Sequence, residues 1–217
     1  IVSRDYAGVK PLYYCYNGKN LFFTSEYKVF LDSNIIPNEI NYSALKEYII
    51  FQTVQMNENL IKGVKKVMPG EIIEFDLNTL RIINTNKIKL KEFEKFKNYN
   101  DYFDCLKNEI YHQMKLATNT DLPTGYHLSG GIDSNTLISL TKSIRTDQNF
   151  FFVTSIIDDE SDNELSFINQ AAKNYDRELK VVKVNSENFF ETLDKALYQL
   201  DEPVGDPGLI PQYLVNK

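Results

Sequence analysis

The string Ser129-Gly130-Gly131-Ile132-Asp133-Ser134 gathers the residue types that can hold a phosphate. Adjacent glycines let the backbone turn sharply and admit an anion with no Cβ in the way. If the string joins a strand to a helix, its amides and those of the first helical turn point at one spot. The helix dipole adds positive charge there. Ser129 and Ser134 supply hydroxyl donors. Asp133 is a carboxylate in a loop that otherwise attracts anions, which makes sense if Mg2+ bridges it to phosphate oxygens. A plainer reading also exists, because Gly-Gly is a common turn after a strand and Asp and Ser start helices well. The complete string in a strand–turn–helix setting, without a Walker-type Gly-Lys-Thr, favours phosphate.

The flanking pattern supplies that setting. Thr124–Leu128 reads as a short strand. Asn135–Arg145 reads as a helix burying Leu137, Ile138, Leu140 and Ile144. Phe150–Ile157 is a nearly continuous apolar strand, as expected when both faces of a sheet are covered. Leu165, Ile168, Ala171, Ala172 and Tyr175 mark a helix, Leu179–Val184 a strand, and Phe189–Leu200 another helix. Upstream, Phe103, Leu106, Ile110 and Met114 recur at helical spacing within Tyr102–Leu116. This alternation implies an α/β fold with a parallel sheet covered by helices.

The first third is β-rich instead. Leu12–Tyr16 and Leu21–Thr24 flank Asn17-Gly18, a dipeptide that accepts the positive φ angles of a tight hairpin. Ser25 is placed to cap a short helix Glu26–Leu31. Ser43 is placed to cap a second one running to Phe51, with Leu45, Tyr48 and Ile49 on its buried face. Glu71–Phe75 and Leu80–Asn84 form a second hairpin through Asp76–Thr79. Thr85–Asn100 is polar and lysine-rich, which gives the division 1–85, linker 86–100, and 101–217. Lysines cluster over Lys87–Lys97, but Glu92 and Glu94 interleave with them, as on a solvated face.

Composition narrows the class. The chain has 217 residues, enough for one or two cores, with ordinary hydrophobic (42%) and charged (25%) fractions. A net charge of −6 argues against a nucleic-acid partner. No apolar run is long enough for a bilayer and no signal-like segment opens the chain, so a cytoplasmic protein is expected. Cys15 and Cys105 read as unpaired buried thiols of a reducing compartment. With His112 and His127 isolated, no zinc site is expected. The chain opens on Ile1 and closes at Lys217 inside an apparent amphipathic helix, so an internal fragment of a longer enzyme is expected.

The loop resembles that of the pyrophosphate-loop ATP-pyrophosphatases, whose hallmark is S-G-G-x-D-S. Other segments resemble the glutamine-hydrolysing asparagine synthetases within that group. Arg4-Asp5-Tyr6-Ala7-Gly8-Val9-Lys10-Pro11-Leu12-Tyr13-Tyr14, Phe23-Thr24-Ser25-Glu26-Tyr27-Lys28 and Val67-Met68-Pro69-Gly70-Glu71 are similar to strings late in their N-terminal-nucleophile glutaminase domain. Leu200-Asp201-Glu202-Pro203, Asp206-Pro207 and Ile210-Pro211-Gln212-Tyr213 resemble a stretch downstream of the ATP loop. Order and spacing agree from one end of the chain to the other.

The resemblance implies a partial Ntn-type α+β glutaminase domain, then a parallel-sheet ATP-pyrophosphatase domain of the adenine-nucleotide α-hydrolase type. It implies ATP and Mg2+ as cofactors. Ser129, Gly130, Gly131, Asp133 and Ser134 would hold the leaving pyrophosphate and its Mg2+, with Asp133 on the metal. Leu128, and by a looser alignment Ile156, would lie against the adenosine. Glu202 or Asp206 would stand near the acceptor pocket, although Asp201-Glu202-Pro203 also reads as a plain helix end. The implied small-molecule partners are glutamine, aspartate and ATP; a homodimer is compatible with the reading.

Departures from the family pattern carry their own expectations. The glutaminase's N-terminal cysteine and its N-G-E-type segment would lie upstream of Ile1. The second loop, S-G-x-G-x-D-E, would follow Lys217. The chain alone is therefore expected to be inactive. Val204-Gly205-Asp206-Pro207-Gly208 stands where several asparagine synthetases carry threonine and arginine. That leaves open a β-lactam-synthetase-like enzyme, a sugar or peptide amidotransferase, or a non-catalytic nucleotide-binding remnant.

Overall fold

A computed structural model describes residues 1–90, 95–144, 150–157, 163–202, 204–206 and 208–217, with the backbone alone at 163 and 164. Arg145, the expected end of the loop helix, lies outside the described residues, as do 91–94 of the linker and Pro203 and Pro207. The chain divides into two compact units, Ile1–Glu92 with Leu197–Asp206, and Phe93–Ala196 with Pro207–Lys217.

In chain order the first unit holds β1 (Val2–Ser3), β2 (Tyr13–Tyr16), β3 (Leu21–Thr24), α1 (Lys28–Asp32), α2 (Tyr42–Phe51), β4 (Val64–Lys66), β5 (Glu71–Phe75) and β6 (Ile82–Lys87). They make two antiparallel sheets, β3-β2-β4 and β1-β5-β6. Both faces of β2 are buried. Tyr13 and Cys15 join Phe30, Ile36 and Val64 on one side, while Tyr14 joins Val67 and Ile73 on the other. An edge-to-face contact between Tyr14 and Phe75, centroids 5.5 Å apart, links strands of the two sheets.

The expected hairpin forms, but its loop takes in Asn17 to Asn20, with the Asn17 carboxamide accepting the Lys19 and Asn20 amides. Asn41, not Ser43, caps α2, its Oδ1 accepting from the Ser43 and Ala44 amides. Ser25 caps nothing, because α1 starts two residues after Glu26 and has no side-chain cap. Ile49, expected on the buried face of α2, is exposed; Ala44 is the buried residue of that helix. The second hairpin is displaced, since Asp76 captures the Asn78 and Thr79 amides and Leu80 takes a left-handed φ of 56°. Its second strand therefore begins at Ile82 and runs on to Lys87.

Arg4 shapes the loop between β1 and β2. Its guanidinium donates to the carbonyls of Lys10 (2.8 Å), Val67 (3.0 Å) and Gly8 (2.8 Å). Asp5 accepts from the Val9 and Lys10 amides, which hold its carboxyl below the ordinary range. The pair thus acts through the backbone rather than as a surface salt bridge.

The second unit holds α3 (Tyr99–Ala117), β7 (Thr124–His127), α4 (Ile132–Ile144), β8 (Phe150–Ile157), α5 (Asn163–Tyr175), β9 (Leu179–Val184), α6 (Ser186–Gln199, whose last residues group with the first unit) and α7 (Leu209–Asn216). The sheet is parallel, in the order β7-β8-β9, with Thr124 opposite Phe150 and Phe152 opposite Leu179. Its core is Leu128, Ile138, Phe150, Phe152, Ile168 and Ala172. β8, the central strand, buries four of its eight residues, Phe150, Phe152, Val153 and Thr154, in keeping with its nearly continuous apolar run.

Two burial expectations fail here. On α4 Ile138 and Thr141 are buried while Leu137 is exposed, so the inner face is narrower than its apolar residues suggested. On α3 no residue is buried, Phe103 and Leu106 stay exposed, and Cys105 is an exposed free thiol, unlike the buried Cys15. No helix among the described residues is long and apolar enough to cross a membrane.

Candidate phosphate-binding loop

The loop Ser129–Ser134 leaves the carboxyl end of β7, beside the central strand, and runs into α4. The carboxyl ends of the strands are the side on which open α/β sheets usually bind ligands. Leu128 continues the ladder one step beyond β7, its amide donating to the Val153 carbonyl at 2.9 Å. Its side chain is 1% exposed, packed with the core. Leu128 therefore anchors the loop, and whatever it gives a ligand comes from its backbone.

From that anchor the chain emerges into solvent: Ser129, Gly130, Gly131, Ile132 and Asp133 are all exposed and Ser134 is half-buried. α4 begins at Ile132, earlier than the expected Asn135, so Asp133 sits in its first turn. A carboxylate is favourable there. The first amides of α4 have no acceptor within the helix, as at every helix start.

Inside the loop the polar groups engage one another. Ser129 Oγ and Ser134 Oγ are 2.9 Å apart. Ser134 Oγ also reaches the carbonyls of Ser129 and Gly131, both at 3.2 Å, and accepts the Ser129 amide at 3.3 Å. The Gly131 amide donates to Ser129 Oγ at 3.3 Å. Asn135, which sequence reasoning passes over, donates its side-chain amide to the carbonyls of Gly131 (2.8 Å) and Ser129 (3.1 Å). A β-carbon at Gly131 would lie 3.3 Å from Ser129 Oγ, so the residue leaves room that any side chain would fill. A signal for Asn135 does exist in the sequence: a residue four after Gly131 in a helix lies over its carbonyl.

The remaining predicted residues fall elsewhere. Ile156 lies three residues beyond Val153 on β8, half-buried and opposite Lys183 of β9. Glu202 and Asp206 group with the first unit, not with the loop's unit. Glu202 is half-buried and paired with Lys66, whose Nζ is 3.0 Å from Oε1 and also donates to the Val54 carbonyl at 2.8 Å. Asp206 is exposed. Asp201, also passed over, accepts the Tyr27 amide at 3.1 Å, and burial pushes its carboxyl up to about 6. Lys28 donates to the Tyr198 carbonyl, and the Tyr198 hydroxyl to Asp32, so the whole segment is fastened by polar contacts.

The donor set fits a phosphate with its Mg2+. Two hydroxyls, the first-turn amides of α4 and an exposed carboxylate lie within six residues of one another around Gly131, which carries no Cβ. No group of three or more His, Cys, Asp or Glu able to hold a metal occurs among the described residues. An ion here would rely on Asp133 together with phosphate and water oxygens, the usual habit of Mg2+.

A β-rich unit followed by a parallel α/β unit, with a serine–glycine loop opening a helix at the sheet's carboxyl edge, makes a two-part protein of mixed α/β class. Comparison with known families agrees in both halves. Residues 1–86 match the model of a glutamine amidotransferase domain and residues 106–217 that of asparagine synthase. The second match takes in more than half of the chain, and the chain belongs to the asparagine synthase family.

Relatives align over nearly its whole length. Asparagine synthetase [glutamine-hydrolyzing] 1 of Bacillus subtilis is 30% identical, covering 99% of this chain and 33% of its own. Putative asparagine synthetase [glutamine-hydrolyzing] 2 of Methanocaldococcus jannaschii is 27% identical, covering 99% of this chain and 42% of its own. A putative asparagine synthetase of Mycobacterium bovis is 26% identical, covering 99% and 34%. The chain thus spans about a third to two fifths of the length of these curated relatives.

Proposed function

We propose that this chain forms part of a carbon–nitrogen ligase that makes asparagine from aspartate, with ATP as activator and glutamine as the source of ammonia. In this reading 1–85 belongs to the glutaminase, 86–100 is linker, and 101–217 begins the ATP-using domain. The aspartate β-carboxylate attacks the α-phosphorus of ATP, pyrophosphate leaves, and an aspartyl adenylate forms. Ammonia released from glutamine then attacks the acyl carbon and displaces AMP.

Ser129, Gly130, Gly131 and Ser134 would cradle the departing pyrophosphate, and Asp133 would hold its Mg2+. When bound, that ion neutralises charge building on the leaving phosphates. The chain's own contribution is electrostatic: fixed amides and a helix terminus stabilise the same charge without reorganising. The observation that carries the reading is the exposed Ser-Gly-Gly-Ile-Asp-Ser turn, anchored by buried Leu128 at the carboxyl edge of a parallel sheet.

The test is ATP–pyrophosphate exchange in the full-length protein. Gly131→Val fills the space over Ser129 Oγ, and Asp133→Asn removes the metal-facing charge. Each is expected to lower exchange by roughly 10²-fold or more, the usual cost of losing a preorganised charge-stabilising group. Unchanged exchange in both variants would sink the assignment.

A further inference from the structure

A loop that binds phosphate must show its N–H groups and hide its carbonyls, because every exposed C=O repels the anion. In this loop the carbonyls of Ser129 and Gly131 are the ones at issue. Both are turned onto Asn135, whose Nδ2 donates to Gly131 O at 2.8 Å and Ser129 O at 3.1 Å. Both acceptors are carbonyl oxygens, so only this orientation of the carboxamide can donate to them. Ser134 Oγ also reaches the two carbonyls and lies 2.9 Å from the Ser129 hydroxyl, but its single proton can serve only one of them well at a time. Asn135 brings two protons and satisfies both at once.

Asn135 is itself held in place. Its backbone amide faces Gly131 O at 3.4 Å, and its own carbonyl accepts the Tyr175 hydroxyl of α5 at 3.4 Å. Tyr175 in turn packs edge-to-face on Phe152, a fully buried residue of the central strand. A chain of contacts therefore runs from the core of the sheet through α5 and α4 to the two loop carbonyls.

We infer that Asn135 is the positioning residue of the phosphate loop: its carboxamide holds the Ser129 and Gly131 carbonyls back from the anion and leaves the first amides of α4 to face it. The inference rests on the phosphate reading of the loop. It adds a residue outside the Ser-Gly-Gly-x-Asp-Ser string and a role, anion selection through carbonyl withdrawal, that the string does not express.

Three substitutions separate the outcomes. Asn135→Ala removes both carboxamide bonds and leaves the two carbonyls to the single proton of Ser134. Asn135→Asp puts a carboxylate against them and beside the anion. Asn135→Ser retains one bond, since a helical serine donates to the carbonyl four residues earlier, here Gly131. In the full-length protein, KM for Mg–ATP and the maximal rate of ATP–pyrophosphate exchange are measured separately, and Mg–pyrophosphate binding is followed by calorimetry. Asn135→Ala is expected to weaken Mg–pyrophosphate binding roughly tenfold to thirtyfold, as for the loss of two ordinary hydrogen bonds. Asn135→Asp should be worse and Asn135→Ser should recover part of the loss.

A lower melting temperature with pyrophosphate affinity and KM unchanged in Asn135→Ala and Asn135→Asp would overturn the inference. If Gly131→Val abolishes exchange while the Asn135 variants bind normally, the loop reading stands and the positioning role falls. If Gly131→Val and Asp133→Asn also exchange normally, the loop reading itself fails.

Discussion

Asp201→Asn should flatten the pH dependence of the first unit. The Asp201 carboxylate is half-buried, accepts the Tyr27 amide at 3.1 Å, and has its pKa raised from 3.8 to about 6. Burial is the main cause; Glu26 and Glu202 push in the same direction, while Lys28 and the Tyr27 amide oppose it. Because the folded value lies above the unfolded one, the folded state holds the proton more tightly. The stabilising contribution is complete below about pH 4 and is lost as pH rises through about 6. Felt in full, that displacement would cost roughly 3 kcal/mol at neutral pH. Solvent screening of a half-buried group reduces it to about 1 kcal/mol. Asparagine keeps an oxygen for the Tyr27 amide and removes the charge, so the variant should be more resistant to opening than the parent at pH 7.5, and equal to it near pH 4. Hydrogen exchange by mass spectrometry reads this directly on peptides covering residues 26–28 and 197–202, after correction for intrinsic rates. Parallel pH profiles for parent and variant would refute the reasoning, because they would show that Asp201 does not titrate differently on opening.

Gly8→Ala should destabilise the first unit by about 2–4 kcal/mol, adding left-handed strain to overpacking; Gly8 has a φ of +66° and an added Cβ would stand 2.7 Å from Pro69 Cγ. Urea unfolding followed by tyrosine fluorescence measures it, and a loss under about 0.5 kcal/mol would show that Pro69 yields freely. Of the two thiols, Cys105 should react with a maleimide at pH 7.5 in the folded protein while Cys15 waits for denaturant. Cys15 is 1% exposed and burial pushes its thiol up to about 11. Equal labelling rates would contradict that difference.

What can be read from the sequence depends on how far apart the deciding partners lie. The strands Leu21–Thr24, Glu71–Phe75, Phe150–Ile157 and Leu179–Val184 are legible at their observed bounds, because apolar runs and neighbouring turns specify them locally. The cap of α2 differs by two residues from its expected place because Asn41 and Ser43 are both good caps, and only the fold picks between them. The second hairpin shifts because an Asx turn at Asp76 competes with continuation of the strand. The fastening of Asp201 and Glu202 is not legible at all. Lys66 and Glu202 are 136 residues apart, and a Lys and a Glu at that separation signal nothing until the chain folds.

The Ser129–Ser134 loop is the opposite case, since the residues proposed to hold phosphate are six consecutive ones. Even so, residue type alone assigns its hydroxyls too simply. It makes Ser129 and Ser134 donors to phosphate, yet each carries one proton and they face each other at 2.9 Å. Ser134 also stands 3.2 Å from two carbonyls, so an arriving anion must compete with the backbone for that proton. The Gly131 and Ser129 amides likewise face serine oxygens rather than open space. The free donors are then the first amides of α4, strengthened by the helix dipole, and they are fixed by secondary structure rather than by rotamers. A phosphate can draw the serine hydroxyls outward only if something else keeps the loop's shape once they leave. Asn135 and its support from Tyr175 supply that, because their bonds to the loop use none of the serine protons.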